Sequence, residues 1–159
     1  MKTSPLILII TLIFFLISCG DSKKPETTGS APGASSAPST DEYDPNRGIG
    51  KFNEETLVLE SSLNATMADN GEKIAGVKCH SCHKLTDERL VGPGLKGVTE
   101  RRAPYWIMNF ITNPDPMIDK DPELQTQLEI CLLRMPNQSL TEDDARNVLE
   151  YLRRNDGLK

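Results

Sequence analysis

The chain has 159 residues, with 18 basic against 23 acidic side chains and a formal charge of −5. That balance argues against nucleic acid as a partner, which calls for clustered positive charge. Once residues 1–48 are set aside for the reasons given next, residues 49–159 remain, enough for one small domain with one core.

Residues 1–18 have the order of an export signal. Lys2 is followed by an apolar run from Leu6 to Ile17, then by Ser18 and Cys19. The run falls short of the ~20 residues of a comfortable membrane span and suits the apolar region of a signal peptide. Its ending, Leu16-Ile17-Ser18-Cys19, resembles the lipobox of bacterial lipoproteins. The resemblance implies cleavage before Cys19 and lipidation of that residue. Several acyl chains anchor stably where a single chain does not. An ordinary signal peptide with a chance cysteine and an uncleaved anchor are the alternatives. Loss of Lys2 with residues 1–18 leaves 17 basic against 23 acidic residues, a charge of −6.

Residues 19–48 form the predicted linker. Thr27 to Thr40 contains no charge and no large apolar side chain, so this stretch cannot bury enough surface to order itself. As a random coil the linker has a reach of roughly 30 Å. From Ile49 to Leu63 the patch Leu57-Val58-Leu59 lacks helical periodicity and is expected to lie extended on the domain. A helix is then predicted from Ala65 to Cys82, capped by Asn64. Met67, Ile74 and Val77 would form its apolar face, with Gly71 and Ala75 as small members.

At the end of that helix stands Cys79-His80-Ser81-Cys82-His83, the Cys-x-x-Cys-His signature of covalent haem attachment. The spacing puts two thiols about one helical turn apart, so each can add to one haem vinyl group. His83 then lies under the iron as a proximal ligand. Cys-x-x-Cys also occurs in thiol–disulfide sites and as half of a zinc site. The first would want a βαβ setting. The second would want another ligand pair, which Cys19, His80 and Cys131 do not make.

Around this motif the chain resembles the class I monohaem cytochromes c. Gly71 stands eight residues before Cys79, where that family has a glycine at the crossing of its terminal helices. The family's usual aromatic four residues before the first cysteine is replaced by Ala75, which leaves Leu149 or Tyr151 to fill the crossing. Leu90-Val91-Gly92-Pro93-Gly94-Leu95 resembles the family's Gly-Pro-x-Leu loop. By that resemblance the Pro93 carbonyl accepts a hydrogen bond from His83 and orients the imidazole. A plain Gly-Pro turn is the bland reading.

A helix is predicted over Arg101–Asn113, with Pro104 in its first turn, Trp106 and Phe110 on one side, and Asn113-Pro114 as its stop. Trp106 reads first as core and second as a partner for a haem propionate. An extra helix is predicted over residues 122–133, started by Asp121-Pro122-Glu123, with Leu124, Leu128, Cys131 and Leu132 on one face. Cys131 reads there as a buried, inert thiol. Arg134-Met135-Pro136 resembles the Met-Pro that the family uses for the sixth ligand; Met67, Met108 and Met117 are the rivals. A last helix is predicted within Ser139–Asn155, capped by Thr141 with Asp144 in a capping box, and packed across the first.

The expected fold is thus all-α and class I cytochrome c-like, with three to five helices round one haem c and a disordered linker before them. Cys79, Cys82, His83, Pro93 and Met135 would bind the cofactor, His83 and Met135 through the metal, and Cys19 would carry lipid. Cys131 is then left alone, and no disulfide is available within the monomer.

The resemblance implies an electron carrier rather than an enzyme, with redox proteins of the respiratory chain as partners and no small-molecule substrate. The lipid anchor implies the bacterial cell envelope, facing the periplasm. Plausible ends of its path are a quinol-oxidising donor and a terminal oxidase or anaerobic reductase such as nitrous oxide reductase. A haem enzyme or gas sensor with an open sixth position, and a thiol–disulfide oxidoreductase, are the readings from other classes.

Overall fold

In the computed structural model, residues 43–159 are described. The export signal, Cys19 and most of the predicted linker lie outside them. Six helices follow in order: α1 (Ala65–Lys78), α2 (Val98–Arg101), α3 (Pro104–Thr112), α4 (Pro114–Ile118), α5 (Pro122–Cys131) and α6 (Glu142–Asn155). No strand occurs among the described residues, only an isolated bridge between His83 and Arg89. None of the described helices is long and apolar enough to cross a membrane. Four of the six are the expected ones. The additions, α2 and α4, are single turns beside them, and α4 begins at the proline that was expected only to stop α3.

Local chemistry sets the helix ends. The Asn64 side chain accepts from Met67 N at 3.0 Å and starts α1. Asp121 starts α5 by accepting from Glu123 N at 2.8 Å and Leu124 N at 3.3 Å. Thr141 and Asp144 exchange side-chain and backbone bonds at 3.1 and 3.2 Å, the expected capping box of α6. Acids fill the first turn of α6 and Arg153 and Arg154 its last, matching the helix dipole.

α1 stops at Lys78, short of the predicted Cys82. The N–H groups of Cys79 and His80 both bond to Ala75 O, at 2.8 and 3.0 Å. Those of Cys82 and His83 turn back to Cys79 O at 3.0 and 2.9 Å. The chain therefore tightens into a separate turn that carries the motif. The buried face of α1 also differs from the prediction. It is the small stripe Ala68, Gly71 and Ala75, while Val77 is 82% exposed.

This stripe lets α6 cross closely. A Cβ on Gly71 would stand 2.0 Å from Asn147 O and 2.9 Å from Tyr151 Cβ. Of the two residues expected to fill the crossing, Tyr151 lies in it, buried with its ring 5.9 Å from that of His80, while Leu149 turns into the core. That core joins α3, α4 and α6 through Trp106, Ile107, Met108, Met117, Ile118, Val148, Leu149 and Leu152.

Leu132 does not share the apolar face of α5. It ends the helix in the left-handed conformation, φ 57°, and is 87% exposed. Ahead of α1 the chain lies on the domain without regular structure, as expected: Phe52 is buried, and Ile49, Leu57 and Leu59 pack on the core. Folded structure also reaches back past the composition boundary at Ile49, since Tyr43 already bonds to Asp121.

Candidate haem site

The turn after α1 and the loop after it make one wall of a cleft. Val91 N and Gly92 N both bond to Cys82 O, at 3.2 and 2.9 Å, and Leu95 N bonds to Lys84 O at 2.8 Å. These bonds fold residues 84–95 back onto the motif and bring the Pro93 carbonyl within 2.8 Å of His83 Nδ1. A carbonyl only accepts, so Nδ1 carries the proton and Nε2 keeps its lone pair. This is the imidazole form that a metal needs.

Gly92 makes the approach possible. A Cβ there would stand 2.3 Å from His83 Cε1 and 2.9 Å from Nε2. The sequence analysis gave this glycine no role. Its signal was present in the Gly-Pro pair, where a side chain next to the ligand-orienting carbonyl would meet the ring.

Two adjoining lobes of about 260 and 200 Å³ open on this wall. Both are lined by Cys79, His83, Pro93, Phe110, Leu124, Gln127 and Met135. Cys82 and Cys131 line the first lobe. Trp106, Arg101 and Arg102 line the second. The lining is mainly apolar, as a dry macrocycle site requires.

Met135 is the only described methionine on the cleft. Met108 and Met117 are buried in the core at 1% and 0% exposure, and Met67 lies on α1 away from it. His80 stays outside as well, 3.5 Å from the Tyr151 hydroxyl. Cys131 is half-buried rather than buried, and it faces the cleft.

Three ties hold the loop that carries Met135. Lys78 Nζ donates to Gln138 O at 2.8 Å, Asn137 Nδ2 to Thr112 O at 3.3 Å, and Arg134 to Asp115 and Asp119 at 3.2 and 2.6 Å.

The chemistry of these groups fits a covalently attached haem. Burial pushes the Cys79 thiol above its ordinary pKa. No group of three or more His, Cys, Asp or Glu among the described residues is placed to hold a lone metal ion. Trp106 is core by burial, with its indole edge next to Tyr43 and Gly48 of the segment before α1. It lies beside Arg102, whose guanidinium stacks 4.2 Å from the Trp106 ring centroid. Arg101 and Arg102 line this lobe, and Arg102 is paired there with Glu123 at 2.6 Å.

A helical fold that presents two thiols and a tautomer-fixed histidine to an apolar cleft is that of a c-type haem protein. A sequence profile described as "Cytochrome c" matches residues 68–156. The chain belongs to the cytochrome c family and binds one haem c covalently, through Cys79 and Cys82. Comparison with curated proteins gives no match.

Among solved structures, a cytochrome c from Rhodothermus marinus is 36% identical, with a TM-score of 0.62 over 66% of this chain and 90% of that one. An engineered form of it, Rma TDE, is 35% identical, with a TM-score of 0.63 over 71% of this chain and 98% of that one. The same engineered protein bound to a carbene intermediate (1-ethoxy-1-oxopropan-2-ylidene) is similar at 35% identity and a TM-score of 0.60, with the same coverage. Family and fold together make this chain a haem-based electron carrier.

Proposed function

We propose that this cytochrome shuttles single electrons between respiratory complexes of a bacterial envelope, held to a membrane by lipid on Cys19. Its donor would be a quinol-oxidising complex. Its acceptor would be a terminal oxidase or an anaerobic reductase such as nitrous oxide reductase. In this reading His83 and Met135 would hold the iron, and Pro93 orients His83. The observation that carries it is the pairing of His83, its Nδ1 spent on Pro93 O at 2.8 Å, with Met135 on the same cleft.

When bound, the haem supplies a reversible one-electron couple. The chain does the rest. Cys79 and Cys82 fix the group in place. The Pro93 carbonyl holds the His83 proton on Nδ1 and aims Nε2. The Met135 thioether is soft and neutral, and with an apolar lining it favours the ferrous state and so a high potential. Leu132, Leu90 and Ile130 are 87, 50 and 49% exposed, which leaves apolar surface near the cleft for a redox partner to cover.

The test is spectroscopic. The ferric wild type should show the weak long-wavelength band of sulfur ligation. Met135→Ala should abolish it, lower the potential and admit carbon monoxide to the ferrous form, with the covalent haem intact. For the anchor, Cys19→Ala should release the protein from membranes or stall its processing; a processed variant that partitions like wild type removes the lipoprotein reading.

A second reading is a haem enzyme or gas sensor with a displaceable sixth ligand. One observation favours it: the engineered R. marinus relative is bound to a carbene intermediate. Wild-type protein that lacks the band and binds carbon monoxide freely would decide for this alternative.

A further inference from the structure

The family match begins at residue 68, but the fold does not. The engineered R. marinus structure covers 71% of this chain, about 113 residues, and must therefore share residues ahead of position 68. In this chain residues 43–59 form a strap laid against α3 and the corner from α4 to the start of α5. Asn109, 1% exposed, spends its whole amide on the strap. Its Oδ1 accepts from Phe52 N at 3.0 Å, and its Nδ2 donates to Arg47 O and Phe52 O at 3.0 Å each. Gly48, in the left-handed region at φ +71°, lies so close that an added Cβ would stand 2.3 Å from Met117 Cε.

The corner, residues 114–121, is held from two sides. On the inner side Met117 lies under Gly48, and Asp121 Oδ2 accepts the Tyr43 hydroxyl at 2.5 Å. The other oxygen of Asp121 caps α5, whose Leu124, Gln127, Leu128 and Cys131 wall the cleft. On the outer side Asp115 and Asp119 hold Arg134, the residue next to Met135.

We propose that the strap is a positioning element for the sixth ligand. Tyr43 and Gly48 fix the corner, and the corner fixes both the α5 wall and the Met135 loop. The inference rests on Met135 being the ligand.

Magnitudes rank the two sides. Asp121 is 1% exposed, and a charge-assisted bond to a buried carboxylate is among the stronger side-chain links. The Arg134 side chain is 41% exposed and its partners 58 and 60%, so those pairs are screened and weak. The Tyr43 bond should therefore govern ligand closure, with Arg134 adding less.

The experiment uses the full-chain holoprotein and carbon monoxide as the probe of an open sixth position. Loss of one such bond shifts a closed–open equilibrium, so Tyr43→Phe should speed ferrous carbon monoxide binding about fivefold and weaken the ferric sulfur band. Arg134→Gln should speed it about twofold, and Arg134→Lys should restore part of the loss. Lys51→Gln removes a strap contact to Glu142 of α6, not to the corner, and should leave both readouts unchanged.

An equal response to Lys51→Gln and Tyr43→Phe would mean general loosening and overturn the proposal. So would unchanged band and binding in Tyr43→Phe when wild type excludes carbon monoxide, and then the Met135 reading still stands. Wild type that binds carbon monoxide freely overturns both. Should Tyr43→Phe not accumulate with haem, Gly48→Ala, which pushes the strap off Met117, is read instead, and an unchanged rate there overturns the strap alone.

Discussion

The two walls of the cleft are built on different length scales. The histidine wall is one short stretch, Cys79 to Pro93, closed by backbone bonds between near neighbours. The methionine wall is a loop tied to α1, α3 and the α4–α5 corner by single side-chain bonds that span 15 to 60 residues. The first has two long ties, Asn155 Nδ2 to Leu85 O at 3.2 Å and Arg89 to Ile130 O at 2.9 Å, but the bonds that set the His83 ring are local. The second needs the whole domain, strap included. A short-range wall is hard to disturb by anything but its own residues. A long-range wall inherits every fault in the packing behind it.

The sharpest way to break the comparison is at the motif itself. Cys79→Ala with Cys82→Ala should give no covalent haem, read by acid–organic extraction and by intact mass. Haem that stays attached to the double variant would mean that the histidine wall does not hold the cofactor through its thiols.

The next largest effect separates two methionines. Met117 is fully buried beneath Gly48, and Met117→Ala should cost about 3 kcal/mol through the cavity it leaves. It should keep the sulfur band, weakened at most as in Tyr43→Phe, because it loosens the corner without removing the ligand. Met135→Ala should do the reverse, losing the band at little cost to unfolding. Denaturant titration beside the visible spectrum checks both. A Met117→Ala protein without the band would put the ligand on α4.

The same contrast explains what was legible in the sequence. Cys79, Cys82, His83 and Pro93 sit at fixed short spacings because one turn must present them, so a linear reading finds them. The caps of Asn64, Asp121 and Thr141 were equally legible, since each acts within three residues. Gly71 was legible through resemblance, and the crossing with α6 gives its physical reason.

What was missed involves distance. Nothing local marks Asn109 as the clamp of a strap some 57 residues earlier, or Tyr43 as the partner of Asp121. Val77 and Leu132 were placed on apolar faces by period. The close crossing chose a stripe of small residues instead of Val77, and the left-handed end of α5 turned Leu132 outward.

Within the histidine wall itself a milder change sharpens the picture. Gly92→Ala places a methyl 2.3 Å from His83 Cε1, so the ring or the loop must shift. The expected cost is about 2 kcal/mol, in line with other overpacked sites. Haem should still attach. The ferrous spectrum and potential should change, because the imidazole would lose its alignment with Pro93 O. A variant with wild-type potential would show that the loop yields without moving the ring.

The smallest effect lies away from both walls, at the crossing that supports them. Glu150 is fully buried on α6. Its Oε1 accepts from Arg146 and Arg153 at 2.6 Å each, and its Oε2 accepts from Asn64 N, the cap of α1, at 3.3 Å. Burial alone would raise its pKa, but the hydrogen bonds from Arg146 and Arg153 outweigh that and hold it below the ordinary value. A carboxyl depressed in the folded state stabilises above its unfolded pKa, near ~4.3, and that contribution fades as pH falls through the folded value. Glu150→Gln should thus be less stable by about 1.5 kcal/mol at neutral pH. The gap to wild type should close on acidification below roughly pH 4, because only the wild type loses a charge there. Its haem spectrum at neutral pH should match wild type, since Glu150 touches neither wall. Unfolding measured across that range decides: a gap that stays constant with pH would mean that shape, not charge, gives Glu150 its place at the crossing.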